Sequence, residues 1–184
     1  LLVAPCTTLM PVFAKDLFHG NAGTFSLFES AIGVGSVISA IYMAQLTAIN
    51  KLIKVTIVSS VIFGVGIIII GVAGNISFAL LGMVVGGCGM MAQSSSINTY
   101  IQTHAKPEMR SRAIGYYVMA YLGISPIGSL MIGGMAEWMK PREIVAMEGV
   151  IGLLVVAAYL FYRKRLKESR ATRRQFYKVI KLAN

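Results

Sequence analysis

Two acids stand where acids are rare. Glu29 and Glu148 each lie about one and a half helical turns inside a long apolar segment. A charged side chain costs roughly 2.5–3.5 kcal/mol at the centre of a membrane span and less toward its ends. Ionisable groups in such places are by default proton relays or substrate contacts, and a carboxyl taken out of water can gain and lose a proton in a working cycle. Both are therefore proton-coupling candidates, with a snorkelling or locally paired acid at the helix margin as the alternative. A second set is neutral. Gln93, Ser94, Ser95, Ser96, Asn98 and Gln102 crowd one stretch, and Ser94, Asn98 and Gln102 recur every four residues, so they share one helical face. Tyr117, Tyr121 and Ser125 form a comparable face further on. Gln93, Ser94, Asn98, Gln102, Tyr117, Tyr121 and Ser125 either line an aqueous substrate path or hydrogen-bond to neighbouring helices. Covalent and metal chemistry find no footing. Cys6 and Cys88 lie in apolar stretches without a CxxC, and no HExxH, P-loop or GxSxG is present. No catalytic residue, metal or cofactor is expected.

The elements that must position these residues follow from composition. Of the 184 residues 56% are apolar and only 13% charged, with a mean hydropathy of +0.72; a soluble domain carries roughly 25% charged residues. Residues 30–50, 55–105 and 113–136 contain no Asp, Glu, Lys or Arg. A span needs about 20 mainly apolar residues, so the 51-residue middle interval must turn back once. The Gly74-Asn75-Ile76-Ser77 cluster supplies the turn. The pattern predicts an all-α, polytopic transmembrane helix bundle over 1–163, with full spans at about 24–46, 53–73, 77–101, 112–137 and 143–162. Residues 1–13 read as a partial span, the end of a helix that begins outside this chain. Residues 164–184 read as a basic tail.

Small residues mark the packing faces. Gly82 and Gly86 form a GxxxG, and Gly128 and Gly133 line the fourth span, where Pro126 should kink the helix. Such faces serve plain helix packing, or they let helices slide and rock.

The net charge of +10 is unevenly placed. Alternating sides between spans puts fourteen of the seventeen basic residues on one side, among them Lys51, Lys54, Lys106, Arg110 and Arg112, and leaves Lys15, Lys140 and Arg142 on the other. Basic loops mark the cytoplasmic side, so the carboxyl terminus is expected inside. A polybasic segment beside a span is a topology anchor on anionic lipid, and no nucleic-acid fold accompanies it.

The stretch NTYIQTHAKPEMRSRAIGYYVMAYLGISPIGSLMIGGMAEWM resembles the tenth-to-eleventh helix region of major facilitator superfamily transporters. It is most similar to the bacterial branch of enterobactin exporters and macrolide efflux proteins. The residues that carry the likeness are Asn98, Gln102, Pro107, Glu108, Met109, Arg110, Arg112, Gly123, Pro126, Gly128, Ser129 and Leu130, with Ser111 in place of a usual Gly. MPVFAKDLFHGNAGTFSLFESAIGVGSVISA is similar to the seventh-to-eighth helix region of the same branch. The resemblance implies the second six-helix half of a secondary active carrier in the cell inner membrane. It also implies proton-coupled efflux of small amphipathic molecules, of drug or siderophore type, by alternating access. The implied partners are the bilayer, a small-molecule substrate, protons and an amino-terminal six-helix half. One departure stands out: AQLTAINKLIK lacks the Gly, Asp and paired Arg of the superfamily's gating loop, which leaves Arg110 and Arg112 as the gating-loop candidates of this half. A channel or a non-transporting membrane scaffold subunit are the other classes open to such a bundle.

Overall fold

The structure, a computed structural model, describes residues 22–46 and 51–183. Five helices follow in order: α1 (Ala22–Ala44), α2 (Leu52–Val72), α3 (Ile76–His104), α4 (Arg110–Met135) and α5 (Pro141–Ala183), with a 3-10 turn at Pro107–Met109 leading into α4. All five are long and apolar enough to cross a membrane. The first four have bounds within one turn of the predicted spans, and α5 starts within one turn of its predicted start but continues to Ala183, past the expected 162; the described residues are all-helical, as expected. The partial span predicted at 1–13 lies outside the described residues, as do Cys6, Lys15 and His19.

Lipid explains why even the Ile67–Ile70 run of β-branched residues is helical. With no water available, every backbone N–H and C=O must be satisfied inside its own segment. Hydroxyls follow the same rule by turning back onto their own helix. Ser30 donates to the Ser26 carbonyl at 2.7 Å, Ser60 to that of Thr56 at 2.7 Å, and Thr99 to that of Ser95 at 2.9 Å.

Helix ends need other partners, since their last groups have none within the helix. At the predicted Gly74–Ser77 turn, Asn75 caps α3, its Oδ1 accepting from the Phe78 N–H at 2.9 Å. The preceding end of α2 is closed from another helix. Arg142, at the start of α5, donates through Nε to the Gly71 carbonyl at 2.8 Å and through Nη2 to the Val72 carbonyl at 2.6 Å. A guanidinium on the last carbonyls of a helix satisfies orphan acceptors and also meets the negative end of the dipole.

The described residues up to Leu153 build one compact unit, which contains α1–α4 and the first part of α5; a second begins at Leu154. In the first, α3 is the spine. Both α1 and α2 pack along it, while α4 touches it only briefly. The crossings are backbone to backbone. A methyl group at Gly66 of α2 would stand 2.5 Å from the Gly86 nitrogen, and one at Gly35 of α1 would strike the Val84 carbonyl of α3. Gly82 completes the GxxxG contact, since a methyl there would meet Ile70 at 2.9 Å. The α1 crossing is tied by two polar contacts: Cys88 Sγ donates to the Gly35 carbonyl at 3.0 Å, and Ser36 Oγ to the Gly87 carbonyl at 3.4 Å. On the fourth span Gly128 is buried, but a side chain at Gly133 would meet nothing within 4 Å, so the predicted small face there is only half used. Pro126 lies inside α4, which stays helical across it. The apolar core joins Phe28, Ile67, Ile70, Met83, Ile132, Ile144 and Val145, drawing on all five helices.

The second unit begins within the last span rather than at the charge boundary near Arg163. Its helix continues through the basic segment to Ala183. Arg165 lies over the Phe161 ring, 5.3 Å from its centroid, a cation–π contact that holds the first cations of the segment against apolar surface.

Two outcomes test this packing. Gly66→Leu forces a side chain into the α3 backbone and should lower the thermal midpoint of the purified protein in detergent, at a cost of about 1–3 kcal/mol, whereas Gly133→Ala should leave it unchanged. Arg142→Leu removes two charge-assisted bonds and should cost about 1.5–3 kcal/mol on the same measurement. Arg142→Lys, lacking the fork, should recover only part of that loss.

Candidate functional site: a buried carboxyl and an open polar face

The two acids enter their helices at equal depth and then differ. Each lies seven residues from its helix start, Glu29 after Ala22 and Glu148 after Pro141, or ~10 Å along the axis. Glu29 is exposed on the bundle surface beside the fully buried Phe28. Glu148 is 4% exposed, and neither of its carboxylate oxygens has a hydrogen-bond partner among the described residues. Helical spacing explains the burial. Ile144 and Val145, one turn before, occupy the same face of α5 and are fully buried in the five-helix core. Gly149, the next residue, packs so closely on α2 that a methyl there would stand 2.6 Å from Ile68 Cγ1. The backbone contact that brings α5 onto α2 therefore carries the carboxyl inward with it. A buried polar group without a partner costs free energy, a bare charge far more, so this position calls for an account.

The neutral residues of α3 sort into two directions. Ser96, fully buried, shares a 2.9 Å hydrogen bond with Thr56 of α2 and donates to the Gln93 carbonyl at 3.0 Å, so it is interhelical glue. Ser94, Asn98 and Gln102 face away from the packed side and are exposed, with Gln102 Nε2 donating to Asn98 Oδ1 at 3.0 Å. Gln93 is half-buried between the two. At the end of that helix the Tyr100 and His104 rings stack with centroids 4.1 Å apart. On α4, Tyr117 and Tyr121 are also adjacent, their ring centroids 6.4 Å apart; Tyr121 is exposed and Ser125 half-buried. The two faces belong to helices that touch only over a short stretch. They are open surfaces rather than one closed pocket.

Arg110 and Arg112, at the start of α4 directly after the 3-10 turn, are both exposed. They are available to whatever approaches that end of the bundle. Sequence reasoning missed Arg142, whose cap on α2 depends on two segments 70 residues apart. Its position just after Pro141, at the start of a span, was the available signal. It also missed Gly35, Gly66 and Gly149, single glycines whose partners lie on other helices.

A family described as transmembrane secretion effectors, of the major facilitator type, matches residues 2–179. A staphyloferrin A transporter of Staphylococcus aureus (strain NCTC 8325 / PS 47) is 20% identical over 161 residues, which is 88% of this chain and 40% of that protein. The chain thus spans less than half the length of that relative. No solved structure matches it. Five membrane-length helices, packed through glycine backbones and matched over nearly their whole extent, make this a multi-pass membrane chain that belongs to the transmembrane secretion effector family of the major facilitator superfamily.

Proposed function

We propose that the chain is the carboxyl-terminal half-bundle of a proton-coupled carrier that exports small amphipathic molecules, of drug or siderophore type, by alternating access. In this reading the carboxyl terminus is cytoplasmic and the bilayer is the cell inner membrane. The observation that carries it is Glu148: a carboxyl buried in the core, neither oxygen of which has a hydrogen-bond partner among the described residues. As a carboxylate it would be a bare charge between apolar helices; taking up a proton removes that charge. In the other access state the carboxyl would reach water or a cationic partner and release the proton. Glu148 is thus the first choice for coupling, and Glu29, exposed in this state, the second.

The open face of Ser94, Asn98 and Gln102 with the tyrosines of α4 would line the substrate path, against an amino-terminal six-helix half that supplies the opposite wall. Carriers of this superfamily bind substrate near the midplane between two such halves. The name of the staphyloferrin A transporter supports a small-molecule cargo, and the family's description as secretion effectors supports the outward direction. The resemblance of residues 98–130 to the enterobactin exporter and macrolide efflux branch points the same way. Arg110 and Arg112 would contact helix ends or lipid phosphates at the cytoplasmic end and help to hold one access state. The excess of basic residues on one side supports the orientation.

The intact protein in vesicles with an imposed proton gradient separates the roles. Glu148→Gln should abolish gradient-driven transport but retain substrate exchange at zero gradient, because binding and rocking survive while coupling does not. Full gradient-driven transport by that variant would remove Glu148 from the mechanism, and loss in Glu29→Gln alone would transfer the role. Asn98→Ala should raise the KM for transport by up to about tenfold, the worth of one lost hydrogen bond, with gradient dependence unchanged.

A further inference from the structure

α1 and α2 both pack on α3 but leave a groove of about 540 Å³ between them. The volume is that of a small-molecule site, which runs about 300–1,000 Å³. Its walls are apolar: Tyr42 from α1, Val58 and Ile62 from α2, with Ala92 of α3 in the floor. Tyr42, Val58 and Ile62 are themselves exposed, so the groove opens sideways along the bundle surface. One end differs from the rest. Lys51 and Lys54, both exposed, stand at its mouth. No acid lies in the first turn of α2, and Lys51 makes no side-chain capping bond, so nothing on that helix start offsets the two charges. From Lys51 to Ile62 is ~16 Å along α2 at about 1.5 Å per residue, which is roughly half of a ~30 Å hydrocarbon core. The groove has the depth of one leaflet.

A cationic mouth at the membrane surface above a leaflet-deep apolar trough complements one chemistry: a phosphate headgroup with an acyl chain beneath it. We infer that the groove between α1 and α2 is a binding site for an anionic phospholipid, the phosphate between Lys51 and Lys54 and one acyl chain along Tyr42, Val58 and Ile62. The lipid fills a volume that α1 and α2 leave open, and so becomes part of the packing around α3. With the orientation proposed above the lipid would come from the inner leaflet; the site itself does not depend on that orientation.

Native mass spectrometry of the intact protein, released from phosphatidylethanolamine–phosphatidylglycerol vesicles, tests this. Wild type should retain phosphatidylglycerol selectively. The Lys51→Gln/Lys54→Gln pair should retain it roughly 30-fold less, which is about 2 kcal/mol at ~1 kcal/mol per lysine near the surface. Val58→Trp, at an exposed wall position that tolerates bulk, should lose the lipid by filling the trough with both lysines intact. Lys106→Gln, a basic change outside the groove, should retain it as wild type does, and excess inorganic phosphate should not displace it. Equal retention of phosphatidylethanolamine by wild type, unchanged retention in the lysine pair or in Val58→Trp, equal loss in Lys106→Gln, or displacement by free phosphate would each overturn the lipid assignment.

Discussion

In lipid, burying an apolar side chain against another gains almost nothing over leaving it in acyl chains, so helices must be held by contacts that lipid cannot imitate. Here that contact is backbone against backbone. Gly66 lies on Gly86, Gly35 on the Val84 carbonyl, and Gly87 on the Ile32 carbonyl, all at separations that a methyl group would close. The direction of the polar face of α3 follows from these crossings. α3 can serve as the spine because its glycines present bare backbone toward both α1 and α2. The polar face of the same helix is left pointing the other way because the glycines have claimed the packed side.

Polar groups are sorted by the same constraint. A hydroxyl can bond back to its own helix and needs no neighbour, which is how Ser30, Ser60 and Thr99 are accommodated. An amide cannot close on itself so easily; Asn98 and Gln102 pair with each other on the open face. A carboxylate has neither option, and Glu148 is held inward among apolar helices with no hydrogen bond among the described residues. Its burial is a consequence of Gly149, which lets α5 approach α2 and turns that face of α5 into the core. Packing and chemistry are thus coupled at adjacent residues, and a shift of α5 on α2 would change the surroundings of the carboxyl directly.

Much of this was legible in the sequence, because bilayer thickness converts hydropathy into span length. The five helices, the turn at Gly74–Asn75 and the all-helical class needed only charge-free intervals and a rise per residue. The GxxxG of Gly82 and Gly86 was readable because both glycines lie on one helix. Gly35, Gly66 and Gly149 were not, since each finds its partner on another helix and no spacing records that. For the same reason Glu29 and Glu148 looked equivalent. They have the same depth and the same apolar flanks, and only the rotation of each helix about its axis separates an exposed acid from a buried one. Sequence could also recognise a polar cluster at 93–102 without saying that Ser96 turns to Thr56 while Asn98 turns away; a 3.6-residue period places them on different faces but does not say which face has a neighbour.

The surfaces left over are as informative as the packed ones. A closed bundle would spend its amide and tyrosine faces on internal hydrogen bonds and leave only apolar residues outside. This one leaves Ser94, Asn98, Gln102 and Tyr121 exposed. Polar faces of that kind are stable in a membrane only against water or another polar surface, since acyl chains offer them no partner. Exposed Val, Ile and Leu on α1 and α5, by contrast, need no partner but lipid. The bundle therefore carries two kinds of outer surface, and they call for different surroundings: bilayer against the aliphatic faces, and water or another polar surface against the polar ones. The same sorting sets the carboxyl of Glu148 apart from both surfaces: it lies in the packed core, where neither lipid nor the open polar face reaches it.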